Sequence, residues 1–215
     1  MTGNPYQIVF SKTKFFLIVY VVFLLLTGWV LLEYNRKDSV VFVNQFWTSG
    51  QDLFFKYITH LGDGIVAVIV VAYLFLKNKK RGVVALSAFA FTAGITQTLK
   101  HVVFDDAMRP YIELWREFKL KELHLTLPEE LMKKGNSFPS GHTTSAFSIF
   151  IILTLFSKKP IYGLAYGVLA VLASYSRVYL SQHFFEDIFV GSFIGVLGSL
   201  FVYLIFLYKS PKGLL

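Results

Sequence analysis

Long uncharged apolar runs alternate along the chain with short polar intervals. A helix that crosses a hydrocarbon core needs about 20 mostly apolar residues, each rising 1.5 Å. "FFLIVYVVFLLLTGWVLL" (Phe15–Leu32) meets that need without a charge. Gly64–Leu76 is shorter, and adding Ile58–Asp63 completes a span with a polar outer end. Gly82–Leu99, Thr143–Ser157, Ile161–Ser176 and Ile188–Tyr208 follow. The pattern predicts an all-α protein: one domain over residues 1–215, built as a six-transmembrane-helix bundle. Phe15–Leu32 is too long for a signal-peptide core and is followed by no A-x-A-like site, so it reads as a retained anchor.

The polar intervals differ in kind. Glu33 to Tyr57 carries Phe42, Phe46, Trp47, Phe54 and Phe55, which suits a segment lying along the membrane interface. Lys100 to Ser140 is the longest interval. Within it "YIELWREFKLKELHLTLPEELMKKGNS" reads as a short amphipathic helix plus irregular chain, an insertion on the outer side. No low-complexity tract or long-period repeat is present.

Composition supports a membrane protein. The chain is 55% hydrophobic and 16% charged, against about 45–50% and about 25% in soluble domains. The absence of cysteine excludes disulfides, thiolate chemistry and Cys-ligated zinc. The net charge of +8 raises the question of nucleic acid, but its placement answers it. Lys12 and Lys14, then Lys77, Lys79, Lys80 and Arg81, then Lys158 and Lys159, then Lys209 and Lys212 occupy alternate loops that hold no acid. All thirteen acids lie on the other side. The positive-inside rule puts the basic side, with both termini, in the cytoplasm. The charge therefore marks topology, and no nucleic-acid partner is expected.

Three segments carry chemistry, and each stands at the outer end of a predicted helix. In "FPSGHT" (Phe138–Thr143), Ser140 can cap the following helix and Gly141 lets backbone approach a ligand. A helix N-terminus is a ready anion site, and His142 would sit in its first turn. The plain alternative is ordinary capping beside an incidental histidine. In "SRVYLSQHFFED" (Ser176–Asp187), His183 and Asp187 are four apart and would share a helical face. The carboxylate can accept the Nδ1 proton and leave Nε2 as a base or nucleophile. The guanidinium of Arg177 suits phosphate oxygens, with a loop salt bridge to Glu186 or Asp187 as the alternative. "KHVVFDDAMRP" adds Lys100 and Arg109, which alone are consistent with a snorkelling lysine and a turn. Together the segments supply three cations, a helix N-terminus and two histidines, one with a carboxylate behind it. Phosphoryl transfer without a metal needs such a set.

These segments resemble the type 2 phosphatidic acid phosphatase family, which shares its site with vanadium haloperoxidases. The family pattern is K-x6-R-P, then P-S-G-H, then S-R-x5-H-x3-D. Pro139–His142 and Ser176–Asp187 match the second and third elements in full, so the resemblance covers Lys100–Asp187 together with the six-helix layout. The first element departs, with eight residues between Lys100 and Arg109. On a continuous helix that spacing turns the two about half a turn apart. Either the helix ends near Lys100 and the loop brings Arg109 back, or Lys100 does not reach the phosphate.

The resemblance implies that His183 attacks phosphorus, Asp187 orients it, and His142 protonates the leaving oxygen and then activates water. Lys100, Arg109, Ser140, Gly141 and Arg177 would hold the oxygens. It implies no metal and no cofactor; the compact acid pair Asp105-Asp106 has no nearby partner for Mg²⁺. The expected partner is a membrane lipid phosphate in the bilayer, met by a monomer in the bacterial inner membrane with its site facing the periplasm. Lipid A, undecaprenyl pyrophosphate and phosphatidylglycerophosphate are the candidate substrates. The alternatives are a haloperoxidase-like enzyme with bound vanadate and a non-catalytic lipid-binding membrane protein or transporter. Asp63 in "HLGDG" reads as a helix cap, with a role beside the site as the alternative. His60, His101 and His124 read as interfacial or loop residues. Gly191, Gly195 and Gly198 read as close helix packing within the chain, with a dimer face as the other use.

Overall fold

The computed structural model describes residues 4–118, 123–128, 130, 132 and 134–209. Helix α1 (Pro5–Glu33) starts at Asn4, whose side chain accepts from Tyr6 N. Two short helices follow, α2 (Arg36–Asn44) and α3 (Ser49–Ile58), then a 3₁₀ turn (Thr59–Gly62) and α4 (Gly64–Lys77). Helix α5 (Lys79–Thr98) runs on into a π-turn (Leu99–Val103). Then come α6 (Pro110–Phe118), α7 (Gly141–Phe156), α8 (Tyr162–Tyr179) and α9 (Phe185–Lys209). No strand occurs among the described residues.

Among the described residues, three helical stretches are long and apolar enough to cross a membrane: Pro5–Glu33, Lys79–Val103 and Phe185–Lys209. Ser49–Gly62 with Gly64–Lys77 makes a fourth if a pair bent by 53° is counted as one. The expected unbroken span over Ile58–Leu76 is thus interrupted. Asp63 leaves the helical conformation (φ −70°, ψ 145°) between two glycines, and its side chain does not cap α4 as expected. Helix α7 is apolar but short. The amphipathic stretch of the insertion is α6; the rest of that expectation falls partly on 119–122, 129, 131 and 133, and Lys212 of the basic series also lies outside the described residues.

Helix α7 is the core of the bundle and packs against α9, α8, α5 and α1. Phe147 meets Phe16, Tyr20 and Phe23 of α1 at ring separations of 6.2, 5.3 and 5.2 Å. On the opposite side, α9 presents glycines. A Cβ on Gly191 would stand 2.8 Å from Ser140 O, one on Gly195 2.7 Å from Thr144 O, and one on Gly198 2.7 Å from Thr92 Cγ2. All three serve packing within the chain. Hydroxyls bridge the same helices: Ser199 to Ser148 at 2.8 Å, Thr92 to Ser148 at 3.3 Å, and Thr96 to Thr144 at 3.2 Å. Large apolar side chains such as Leu25, Trp29, Ile65, Leu76 and Phe201 face outward, as lipid contact requires.

Gly195→Leu should force α9 off α7, because the obstacle is a backbone carbonyl that cannot rotate away. Overpacking of this kind costs about 1–3 kcal/mol. Thermal unfolding of purified protein in detergent should show the loss, and an unchanged midpoint would contradict the packing described.

Between α1 and α4, Phe42, Phe46, Trp47 and Phe54 are exposed as an interfacial segment requires, but Phe55 is buried against Tyr175 and Tyr179. His124 fastens the insertion to this platform. Its backbone exchanges two hydrogen bonds with Asn44, its Nε2 lies 2.7 Å from Asp52 Oδ2, and its ring stacks on Trp47 at 3.7 Å.

Candidate active site

One end of the bundle holds a cavity of about 410 Å³ whose wall includes Lys100, Arg109, Gly141, His142, Arg177 and His183. Six of the eight expected site residues therefore share one space, although they come from three separate segments. Asp187 stands behind His183. Ser140 is buried with its hydroxyl turned into α7, accepting from Thr143 N (3.4 Å) and Thr143 Oγ1 (3.0 Å). It caps the helix and is absent from the cavity wall.

The Lys100–Arg109 spacing is resolved by the chain path. Helix α5 widens into the π-turn at Lys100 and ends, and the loop returns Arg109 to the cavity just before α6. Backbone carbonyls of residues 135–137 steady both cations. Lys100 Nζ donates to Asn136 O (2.6 Å) and Ser137 O (3.2 Å), and Arg109 Nε donates to Gly135 O (3.0 Å). Arg177 reaches in from α8 and donates to Thr59 Oγ1 at 2.7 Å, while its buried Nε has no partner among the described residues. The alternative of a salt bridge to Glu186 or Asp187 is not its contact; Glu186 pairs with Arg36 at 3.3 Å.

His183 and Asp187 meet as the spacing predicts, but across a turn. His183 precedes α9, and Asp187 lies in that helix's first turn, where its Oδ2 also accepts from Phe184 N at 3.0 Å. This back-bonding acid is one arm of a capping box. His183 Nδ1 donates to Asp187 Oδ2 at 2.9 Å. Arg109 Nη1 lies 3.2 Å from His183 Nε2. A carboxylate on one nitrogen and a guanidinium donor on the other select one tautomer, with the proton on Nδ1 and the lone pair on Nε2.

Burial, with Arg109, Arg177, Lys100 and His142 nearby, holds the His183 ring well below the usual imidazole range. Burial lowers Arg109 to about 10, opposed by Asp187, so it remains a cation at neutral pH. The depressed His183 ties stability to pH. The unfolded chain takes up this proton near pH 6.5, roughly the free imidazole value, while the folded chain refuses it until much lower pH. The stability conferred by a neutral buried ring is therefore complete above about pH 6.5 and is lost as pH falls toward the folded-state value. Unfolding midpoints between pH 7.5 and 5 should fall more steeply in the wild type than in His183→Gln; parallel curves would refute the assignment.

Several contributors carried little or no sequence signal. Ser137 Oγ donates to Asp187 Oδ2 at 2.5 Å, and Gln182 O accepts from Arg109 Nη1 at 3.0 Å. Neither belongs to a periodic pattern. Asp63 was visible as an acid between apolar runs; it lies 2.7 Å from His142 Nε2. His101 lines the cavity as well, so of the three histidines read as peripheral only His124 stands apart from these groups. Among the described residues, no group of three or more His, Asp or Glu is arranged to hold a metal ion.

The arrangement can bind a tetrahedral oxyanion between three cations and the start of α7, with a lone-pair nitrogen on one side and a second imidazole on the other. The family model for the PAP2 superfamily matches residues 81–211. Bacitracin transport permease protein BcrC of Bacillus licheniformis is 40% identical over 77 residues, 36% of this chain and 35% of that protein. The chain thus spans about a third of that relative's length. Phosphatidylglycerophosphatase B of Bacillus subtilis is 29% identical over 155 residues, 65% of this chain and 68% of that protein. Among solved structures, Aquifex aeolicus LpxE superposes with a TM-score of 0.66 at 26% identity, covering 80% of this chain and 96% of that one.

Proposed function

Because the chain belongs to the PAP2 superfamily, we propose that it is a lipid phosphate phosphatase that removes a phosphate from a membrane lipid through a phosphohistidine intermediate. The observation that carries this reading is the pairing of His183 Nε2 with Arg109 in a cavity that also holds Lys100, Arg177 and His142. A nucleophile with its lone pair on Nε2, where Arg109 donates to it, stands where three cations would draw a phosphoryl group.

The phosphate oxygens are held by Lys100, Arg109, Arg177 and the first-turn amides of α7 at Gly141 and His142. Ser140 contributes by setting that helix start. His183 Nε2 attacks in line, forming a P–N bond as the P–O bond to the lipid breaks. His142 gives its proton to the departing oxygen. Water then attacks phosphorus, His142 takes its proton, the P–N bond breaks, and phosphate leaves. Asp187, braced by Ser137, keeps the His183 tautomer and stabilises the cation formed on attack. The residues supply charge and proton transfer by themselves, so the reaction runs without a metal or cofactor.

We place the chain as one domain with six spans, α1, the broken α3–α4 pair, α5, α7, α8 and α9, in a bacterial inner membrane. The basic loops put both termini in the cytoplasm and the cavity at the periplasmic face. The enzyme works as a monomer on a lipid whose tail stays among the helices while its head enters the cavity. Phosphatidylglycerophosphate, undecaprenyl pyrophosphate and lipid A are the candidates, the first supported by the Bacillus subtilis relative. The test is phosphate release by purified protein in EDTA from each of the three. Turnover of at least one supports the reading, and release from none overturns it.

A further inference from the structure

The mechanism above gives Asp63 no part, yet this carboxylate holds the ring assigned as the acid. His142 Nε2 stands 2.7 Å from Asp63 Oδ1, and His60 Nδ1 stands 2.7 Å from Asp63 Oδ2. Asp63 occupies the cap position of α4 but makes no side-chain bond to that helix. Gly62 makes the approach possible. A Cβ there would lie 2.8 Å from both His142 Cβ and His142 O, so a glycine is what lets the 3₁₀ turn rest on the first turn of α7.

We propose that Asp63 is a positioning residue for His142: it fixes a proton on Nε2, leaves Nδ1 to exchange protons with the substrate, and favours the protonated ring. This rests on reading His142 as the leaving-group acid. An ionised carboxylate only accepts, so the nitrogen facing it must carry hydrogen. The proton delivered to the leaving oxygen is then the one on Nδ1. Its electron pair stays on Nδ1, which takes a proton from water in the second step. The groups facing His142 are Asp63, His60 through Asp63, and Lys100, Arg109, Arg177 and His183 across the cavity. Among the described residues, Asp63 is the acid that touches the ring, and losing it removes a charge that favours the imidazolium beside these cations. The two His–Asp pairs thus use opposite nitrogens: His183 is held at Nδ1 and His142 at Nε2.

The experiment compares the full-length wild type with Asp63→Asn on two substrates in detergent. Short-chain phosphatidate has an alkoxide leaving group that needs a proton; p-nitrophenyl phosphate has a leaving group that scarcely does. Asp63→Asn should lower kcat/KM, which reads the step in which the leaving group departs, about 30–100-fold on phosphatidate and by less than about fivefold on p-nitrophenyl phosphate, and should move the alkaline limb of the phosphatidate profile to lower pH. Asp63→Glu should recover part of the loss, and Asp63→Asn should add nothing to His142→Ala. Equal losses on both substrates, no loss, or an additive effect on His142→Ala would overturn the proposal. If Asp63→Asn does not fold, Gly62→Ala should give the same substrate-selective loss, and full activity in that variant also overturns it. Nitrogen-15 spectra of the wild type read the tautomer without turnover; a His142 ring lacking the Nε2 proton refutes the positioning role. A wild type inert on all phosphate lipids would instead refute the phosphatase reading.

Discussion

His183→Ala should reduce phosphate release by at least about 10⁴-fold while leaving the fold intact. Removing a covalent nucleophile eliminates the two-step route. What remains is binding and charge stabilisation, which alone accelerate hydrolysis only modestly. The substitution should also abolish acid-labile phosphorylation of the chain. The ring is buried, with Asp187 behind it and Arg109 before it, so the folded state must be verified by size exclusion and unfolding. A folded variant that keeps appreciable turnover would remove His183 as nucleophile.

Arg177→Ala should lower kcat/KM by about 10²–10³-fold, the usual loss when one donor to a developing oxyanion is removed. Arg177 suits this test better than Arg109, whose guanidinium also binds carbonyls of Gly135 and Gln182. Among the described residues, the Arg177 side chain hydrogen-bonds to Thr59, and its buried Nε has no partner. Vanadate, a mimic of phosphate approaching its transition state, should inhibit the wild type strongly and Arg177→Ala weakly. Equal inhibition of the two would show that this arginine does not touch the transferred group.

The legible parts of the sequence were those that rest on periodicity and fixed spacing. Apolar runs located the long helices, because hydrophobic length is a local property. His183 and Asp187 were readable from their spacing of four, although they meet across the turn that starts α9 rather than on one helical face, and Ser140–His142 because caps have a short signature. The parts missed depend on contacts between distant segments. Asp63 could be read as a helix cap or as a residue beside the site, and nothing local decides that it faces His142 across 79 positions. Ser137 offers no pattern, and its importance follows from the loop passing beside Asp187. The extra residues between Lys100 and Arg109 could be interpreted only once the π-turn was visible. The apolar run over Ile58–Leu76 also concealed its bend, since hydropathy is blind to one residue leaving the helix.

That bend sets how deeply the protein can sit in a bilayer. At Asp63 the ladder of backbone hydrogen bonds is interrupted, and α4 begins without a side-chain cap. Peptide groups left open in this way are tolerated only where water or protein can reach them. Hydrocarbon cannot rise past the kink without a penalty, so the kink acts as a waterline. A membrane with longer acyl chains would have to thin around it or drag the Asp63–His142 contact toward oil. In the orientation proposed above, lipid thickness would thus bear on the Asp63–His142 contact through the backbone that carries it.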